Sequence, residues 1–346
     1  MDSEKGNTMK RTGALLLLLL CIFAAPVLCA ATVEELRKDA GQGDVESQYR
    51  LGQRYEAGKG VKRDFAKAAE WYGKAARQGN ARAQTNLGNL YRAGRGVSRD
   101  YEKALEWYRK AAEQGDTKAQ INIGMMYASG MGVEKDEAEG LEWLQRAAAG
   151  GDTQAMVQLG TLYQTGKGVE KDYVTSTEWF RLGAAKGDSI AQHNLGLSYY
   201  RGRGVKQDYA QSVKWHSKSA KRGYPPAEYS MALRYAEGKG VKQDYAEAAS
   251  WYRKAAGHGH PSAMSNLGIL YRKGQGVDQD YDEALKLFRK AAERGHPPAQ
   301  YQLGKMYLEG RGVARDPDAA RKWFGKAADA GHKGARKSVQ SLEEGE

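Results

Sequence analysis

Few residues of this chain are spaced to do chemistry. Histidine offers the clearest pattern, because His260, His296 and His332 recur at one interval with His258 beside the first. A zinc site needs its ligands within about 2 Å of one ion. Stacked helix pairs stand roughly 10 Å apart, so one histidine per stacked unit cannot share a metal. Aspartate fills the same column earlier, as Asp116, Asp152 and Asp188, so these histidines are expected to cap helices or face water. No serine is followed three residues later by lysine, the spacing that activates the nucleophile of serine β-lactamases. Gly-x-Gly recurs but never continues as Gly-Lys-Ser/Thr, so it is not a phosphate cradle. The expectation is a chain with no catalytic residues, no metal and no cofactor.

Both cysteines, Cys21 and Cys29, fall in the first thirty residues, which read as a secretory signal peptide over 1–30. Lys10 and Arg11 supply the basic region and Ala14 to Leu28 the apolar region, with cleavage expected near Ala30 or Ala31. The apolar run is shorter than the roughly 20 residues of a membrane span, and Pro26 interrupts its end. Stable membrane insertion is therefore not expected. Leucine precedes each cysteine, which argues against lipidation, and Met9 is an alternative initiator to Met1. Export leaves a chain without thiols, disulfides or cysteine ligands. It places the protein in the periplasm or outside the cell.

The glycines, 43 of 346 residues, are periodic. Gly60, Gly96 and Gly132 begin a column that continues every 36 residues to Gly312; each is preceded by a second glycine and followed by valine, then by an aspartate such as Asp64 or Asp100. All seven tryptophans share another column, from Trp71 to Trp323, with Leu287 in the remaining slot.

Each unit reads as two helices. Ala83, Leu87, Gly88 and Tyr91 lie on one stripe of the first, and Ala68, Trp71, Ala75 and Ala76 on one face of the second. The connector ends the first helix at glycine and starts the second at an aspartate N-cap, with Pro317 at the first helical position after Asp316. The column of Gly52, Gly88 and Gly124 holds glycine in seven units and Ala232 in the sixth. Glycine inside a helix costs about 1 kcal/mol against alanine, so two helix axes are expected to approach closely there. The tryptophan and tyrosine columns are expected to form core.

Leu87-Gly88, Tyr91, Gly94-x-Gly96-Val97, Asp100, Ala104, Trp107 and Ala111-Ala112 together resemble the Sel1-like repeat, a relative of the tetratricopeptide repeat with a longer inter-helix loop. The resemblance implies an all-α fold, an α/α superhelical solenoid of eight 36-residue helix-turn-helix units at 44–79, 80–115, 116–151, 152–187, 188–223, 224–259, 260–295 and 296–331. Residues 31–43 read as an N-terminal capping helix, and 332–346 as a C-terminal capping helix and tail, since end units must shield a face without a neighbour.

Such arrays present an extended concave surface. Resemblance to tetratricopeptide arrays implies that the first helices line it. Immediately before each Leu-Gly pair an amide recurs: Asn86, Asn122, Gln158, Asn194, Asn266 and Gln302, with Arg50 and Ser230 in the other two units. An amide donates and accepts, as recognition of an extended peptide backbone requires. These six are the candidate ligand-binding residues; bonding to neighbouring helices or simply facing water is the alternative for them. The adjacent column, Tyr49, Thr85, Ile121, Val157, His193, Tyr229, Ser265 and Tyr301, varies, as a column that carries specificity or one under neutral surface drift would.

The net charge of +12 is open to acidic partners or an anionic surface, with a mostly solvated surface as the alternative, while export removes nucleic acid from reach. The sequence thus points to a non-enzymatic scaffold that binds proteins or peptides of the envelope or host. The alternatives are a cell-wall-directed or β-lactam-binding enzyme-like protein, as some cysteine-rich relatives are, and a binder of anionic envelope glycans. The missing Ser-x-x-Lys and the missing disulfides weigh against the first.

Overall fold

The computed structural model describes residues 32–343. The expected signal peptide over 1–30, with Met1, Met9, Cys21, Cys29, Ala30 and Ala31, lies outside the described residues. Among the described residues every regular element is a helix. α1 (Val33–Gly41) leads. The eight pairs are α2 (Val45–Ala57) with α3 (Phe65–Arg77), α4 (Ala81–Ala93) with α5 (Tyr101–Glu113), α6 (Thr117–Ser129) with α7 (Glu137–Ala149), and α8 (Thr153–Thr165) with α9 (Tyr173–Ala185). They continue as α10 (Ser189–Arg201) with α11 (Tyr209–Ala220), α12 (Pro225–Glu237) with α13 (Tyr245–Gly257), α14 (Pro261–Lys273) with α15 (Tyr281–Glu293), and α16 (Pro297–Glu309) with α17 (Pro317–Asp329); α18 (Lys333–Glu343) closes the series. This is the helix-pair repeat of an α/α solenoid.

Two compact units divide the chain. One runs to Ile123 and includes Met131–Val133; the other comprises Gly124–Gly130 and everything from Glu134 onward. In the first unit α1 packs on α2, and α2 to α5 pack each on the next. In the second, α7 to α18 do likewise, and the first helices α8 and α10, and α14 and α16, also meet one another.

The aspartate column explains why each pair forms. The Asp100 carboxylate accepts from the Lys103 N–H and caps α5, while its own backbone N–H donates to the Tyr91 carbonyl of α4 at 3.0 Å. The same backbone bond recurs in every repeat, from Asp64 to Tyr55 through Asp316 to Tyr307. One residue therefore starts the second helix and ties it to the first. Gly94 ends α4 in the left-handed region at φ 67°, and Gly96 at φ 71° packs so tightly on the Phe65 backbone that a Cβ would lie 2.2 Å away. The Gly-x-Gly pair is structural on both counts.

The core differs from expectation in two columns: of the first-helix tyrosines Tyr55 is buried, while Tyr91, Tyr235, Tyr271 and Tyr307 only flank the core, and the tryptophans do the same. The large side chains that are fully buried include Tyr72, Tyr108, Phe180, Phe288 and Phe324, each one residue after the tryptophan column. Trp71, Trp107, Trp251 and Trp323 only flank the core clusters and are half-buried. A cation one helical turn on covers their outer faces: Lys74 lies 4.0 Å from the Trp71 ring and Lys254 4.0 Å from Trp251. The glycine column has the role expected of it. A Cβ at Gly52, Gly88 or Gly160 would stand 2.5–2.6 Å from the Tyr72, Tyr108 or Phe180 ring.

Candidate functional site

The first helices place the six candidate amides in both units, Asn86 and Asn122 in the first and the other four in the second. All six are half-buried. Two are hydrogen-bonded to a neighbouring repeat. Asn266 Nδ2 donates to the Tyr252 hydroxyl at 3.1 Å and reaches that of Tyr229 at 3.4 Å, and Asn122 Nδ2 donates to Asn89 Oδ1 at 3.2 Å. Gln302 Oε1 is buried without a partner. Among the described residues no hydrogen bond joins two of the six.

Gln158 has a different setting. Within the second unit it borders an open pocket of about 270 Å3, lined also by Gly124, Met125, Leu144, Val157 and Thr161. Repeat three departs from the others at two positions. Leu144 lines the pocket where most repeats place an aromatic ring, so side-chain volume is missing there, and Gly140 stands where they place alanine or serine. Gly124 and Gly140 face each other closely enough that a Cβ on either would lie 2.8 Å from the other's carbonyl oxygen. The wall is almost wholly apolar, with the Thr161 hydroxyl turned to the Val157 carbonyl at 2.8 Å, so the pocket suits an apolar side chain.

A second amide column escaped the sequence reading. Gln48, Gln84 and Gln192 are buried, and each Nε2 donates to a carbonyl eight residues back, Ala40, Ala76 and Ala184, at 3.1–3.3 Å. These glutamines tie each first helix to the end of the preceding second helix. Gln78 and Gln114 extend the bond at 2.8 Å to Gln48 and Gln84. In repeat six the pair is ionisable instead, with buried Glu228 2.8 Å from His258 Nδ1. The recurrence of glutamine was visible in the sequence; its partner in another helix was not.

The histidine column caps helices in two of its three units. His260 Nδ1 accepts from the Ala263 N–H and His332 Nδ1 from the Ala335 N–H, while His296 makes no cap bond and meets Ser262. His260 and His332 also stack on Tyr229 and Tyr301 at 4.6 and 4.5 Å. Among the described residues no three His, Cys, Asp or Glu side chains converge on a point that could hold a metal.

Polar side chains concentrate inside repeats four and five. Ser176, Thr177, Ser198, Ser212 and Ser219 are buried, and His216 replaces the aromatic ring opposite Gly196. His193 and His216 have ring centroids 5.2 Å apart. Burial pushes them down to about 4 and about 3, so both are neutral at pH 7.

The family model described as "Sel1 repeat" matches eight times, over 45–80, 81–116, 117–152, 153–188, 189–224, 225–260, 261–296 and 297–332. Among solved structures, a Sel1 repeat protein from Oxalobacter formigenes is 33% identical, with 99% of this chain and 98% of that chain covered and a TM-score of 0.71. A protective antigen present in uropathogenic Escherichia coli strains, which displays an SLR fold, is 34% identical over 89% of this chain and 74% of its own, with a TM-score of 0.62. No functionally curated protein matches this chain.

Proposed function

Because the chain belongs to the Sel1 repeat family, whose members are generally protein-interaction scaffolds, we propose that it is an exported, non-enzymatic scaffold holding envelope or host polypeptides on its first helices. The observation that carries this reading is the open apolar pocket at Gln158 and Thr161, set among residues that vary while the packing columns repeat. Export rests on the basic and apolar segments before Ala30. No helix among the described residues is long and apolar enough to cross a membrane.

A photo-crosslinking residue at Thr161, in the chain expressed in its native compartment, tests the proposal. Adducts with a small, reproducible set of polypeptides are expected from Thr161 and not from exposed Lys290 on α15. Identical adducts from both positions would remove the first-helix face as the binding surface.

A further inference from the structure

Repeat five is the most basic part of the chain. It carries seven Lys and Arg residues between Arg201 and Arg222 against Asp188 and Asp208 alone. Both aspartates are helix N-caps that accept from the Ala191 and Gln211 N–H groups. Among the described residues none of the seven cations forms an ion pair, although the equivalent second-helix cations in repeats one to three do. Lys74 pairs with Glu70 at 2.8 Å and Lys110 with Glu106 at 2.6 Å, whereas Lys214 replaces that glutamate in repeat five.

On the connector side these charges converge with repeat four. Lys171 Nζ lies 5.0 Å, and Arg203 Cζ 5.1 Å, from the centre of the Tyr173 ring. Lys171, helped by the Arg203 and Arg201 charges, holds the Tyr173 phenol below its usual range, a sign of locally positive potential. Asp172 is occupied by the Val174 and Thr175 N–H groups and the Thr175 hydroxyl. Glu170 is exposed in the same connector and pairs with neither Lys171 nor Arg203. Beside Tyr173 stands Val174, 56% exposed, in a column that is otherwise Ala66, Glu102, Ala138, Ala210, Ala246, Asp282 and Asp318. Phe65 is flanked likewise by Arg63 and Arg95, at 5.8 and 5.6 Å, but there Ala66 replaces the valine and Ala93 replaces Arg201.

We propose that Lys171, Arg201 and Arg203 around Tyr173, with exposed Val174, form a docking site for an acidic segment of a partner polypeptide that carries an apolar residue among its carboxylates. This rests on the reading of the chain as a polypeptide scaffold and adds a second contact apart from the pocket. The unpaired cations attract the carboxylates and speed encounter, and Val174 takes the apolar side chain. Flanking cations of one sign also repel basic partners, so the site selects as well as binds.

Binding of a fluorescein-labelled oligo-glutamate peptide with one central leucine, followed by anisotropy on the full exported chain, tests it. Affinity is expected to fall steeply as salt rises to about 0.3 M, and K171Q/R201Q/R203Q is expected to weaken it roughly tenfold or more at low salt. Val174→Ser should erase the preference for the leucine peptide over plain oligo-glutamate. No binding at low salt, or equal binding by the triple variant, overturns the proposal. So does tighter binding of heparin or phosphatidylglycerol vesicles that the triple variant abolishes, which would assign the patch to a glycan or a membrane. Crosslinking from Thr161 reports the first-helix face by itself, so either reading can fail without the other.

Discussion

Gly88 lies directly against the Tyr108 ring: a Cβ there would stand 2.6 Å from Cε1 and 3.1 Å from the Ala104 carbonyl oxygen. The sixth repeat shows how far this contact yields, since Ala232 faces Tyr252 in the equivalent place and both remain buried. Gly88→Ala should therefore be mild. Gly88→Leu and Gly160→Leu should each lower stability by roughly 1–3 kcal/mol or more, the usual cost of overpacking, read as a fall in thermal midpoint against an exposed-lysine control. Equal midpoints for Gly88→Leu and the control would remove the close-packing account.

Repeat three is expected to be the weak link of the array. Glu137 replaces the usual tyrosine at the start of α7, Gly140 costs helix propensity, and Leu144 leaves a pocket where a ring would pack. The division of the chain into two compact units also falls within this repeat. Because repeat stability is a sum of local and nearest-neighbour terms, amide hydrogens of residues 137–148 should exchange before those of α3 and α15. Leu144→Phe should slow that exchange. Uniform protection along the chain contradicts the prediction.

Much of this architecture was legible because the 36-residue spacing repeats without a slip, so caps, connectors and helix pairs could be placed from Asp100, Gly94 and Gly88 alone. Side-chain direction was less legible. Tryptophan is the largest aromatic, yet Ala68, Tyr72, Ala75 and Ala76 form the fully buried face of α3, while Trp71 sits at its edge under Lys74. The aromatic recurring one residue later was the available signal. The candidate amides read alike in sequence, but Asn266 has two tyrosine hydroxyls within reach and Gln158 an open pocket. That distinction depends on which side chains the preceding repeat supplies.

The two buried imidazoles make stability depend on pH. In the folded chain His193 and His216 sit near 4 and 3, below their ordinary 6.5, chiefly through burial; the Arg201 charge adds at His193, and those of His193 and Arg234 at His216. The unfolded chain takes up protons as pH falls through 6.5 while the folded chain does not. Stability is therefore complete above about 6.5 and declines towards pH 4, by on the order of a few kcal/mol. His216→Phe, matching Phe180 and Phe288 in the same column, should flatten the thermal midpoint between pH 6.5 and 4.5. An unchanged slope in that variant would assign the acid sensitivity to other groups.

The amide column should separate into residues that hold the array and residues that meet a partner. Asn266→Ala removes the donor that reaches the Tyr252 hydroxyl, which is held in a buried side chain whose ionisation burial already disfavours. An unsatisfied buried hydroxyl costs about 1–3 kcal/mol, so this variant should melt early. Gln158→Ala and Asn194→Ala break no hydrogen bond to a described residue, and the double variant should melt like the parent. Each hydrogen bond lost to a partner backbone is worth roughly 0.5–1.5 kcal/mol, so the same double variant should weaken polypeptide capture by about fivefold to a hundredfold. Asn122, tied to Asn89, is expected to show a share of both effects. Melting curves and the yield of crosslinks from Thr161, measured on the same preparations, decide the matter. If Gln158→Ala/Asn194→Ala retains every adduct at parental yield, these two amides do not contact the partner, and recognition on the first helices rests on the apolar pocket wall.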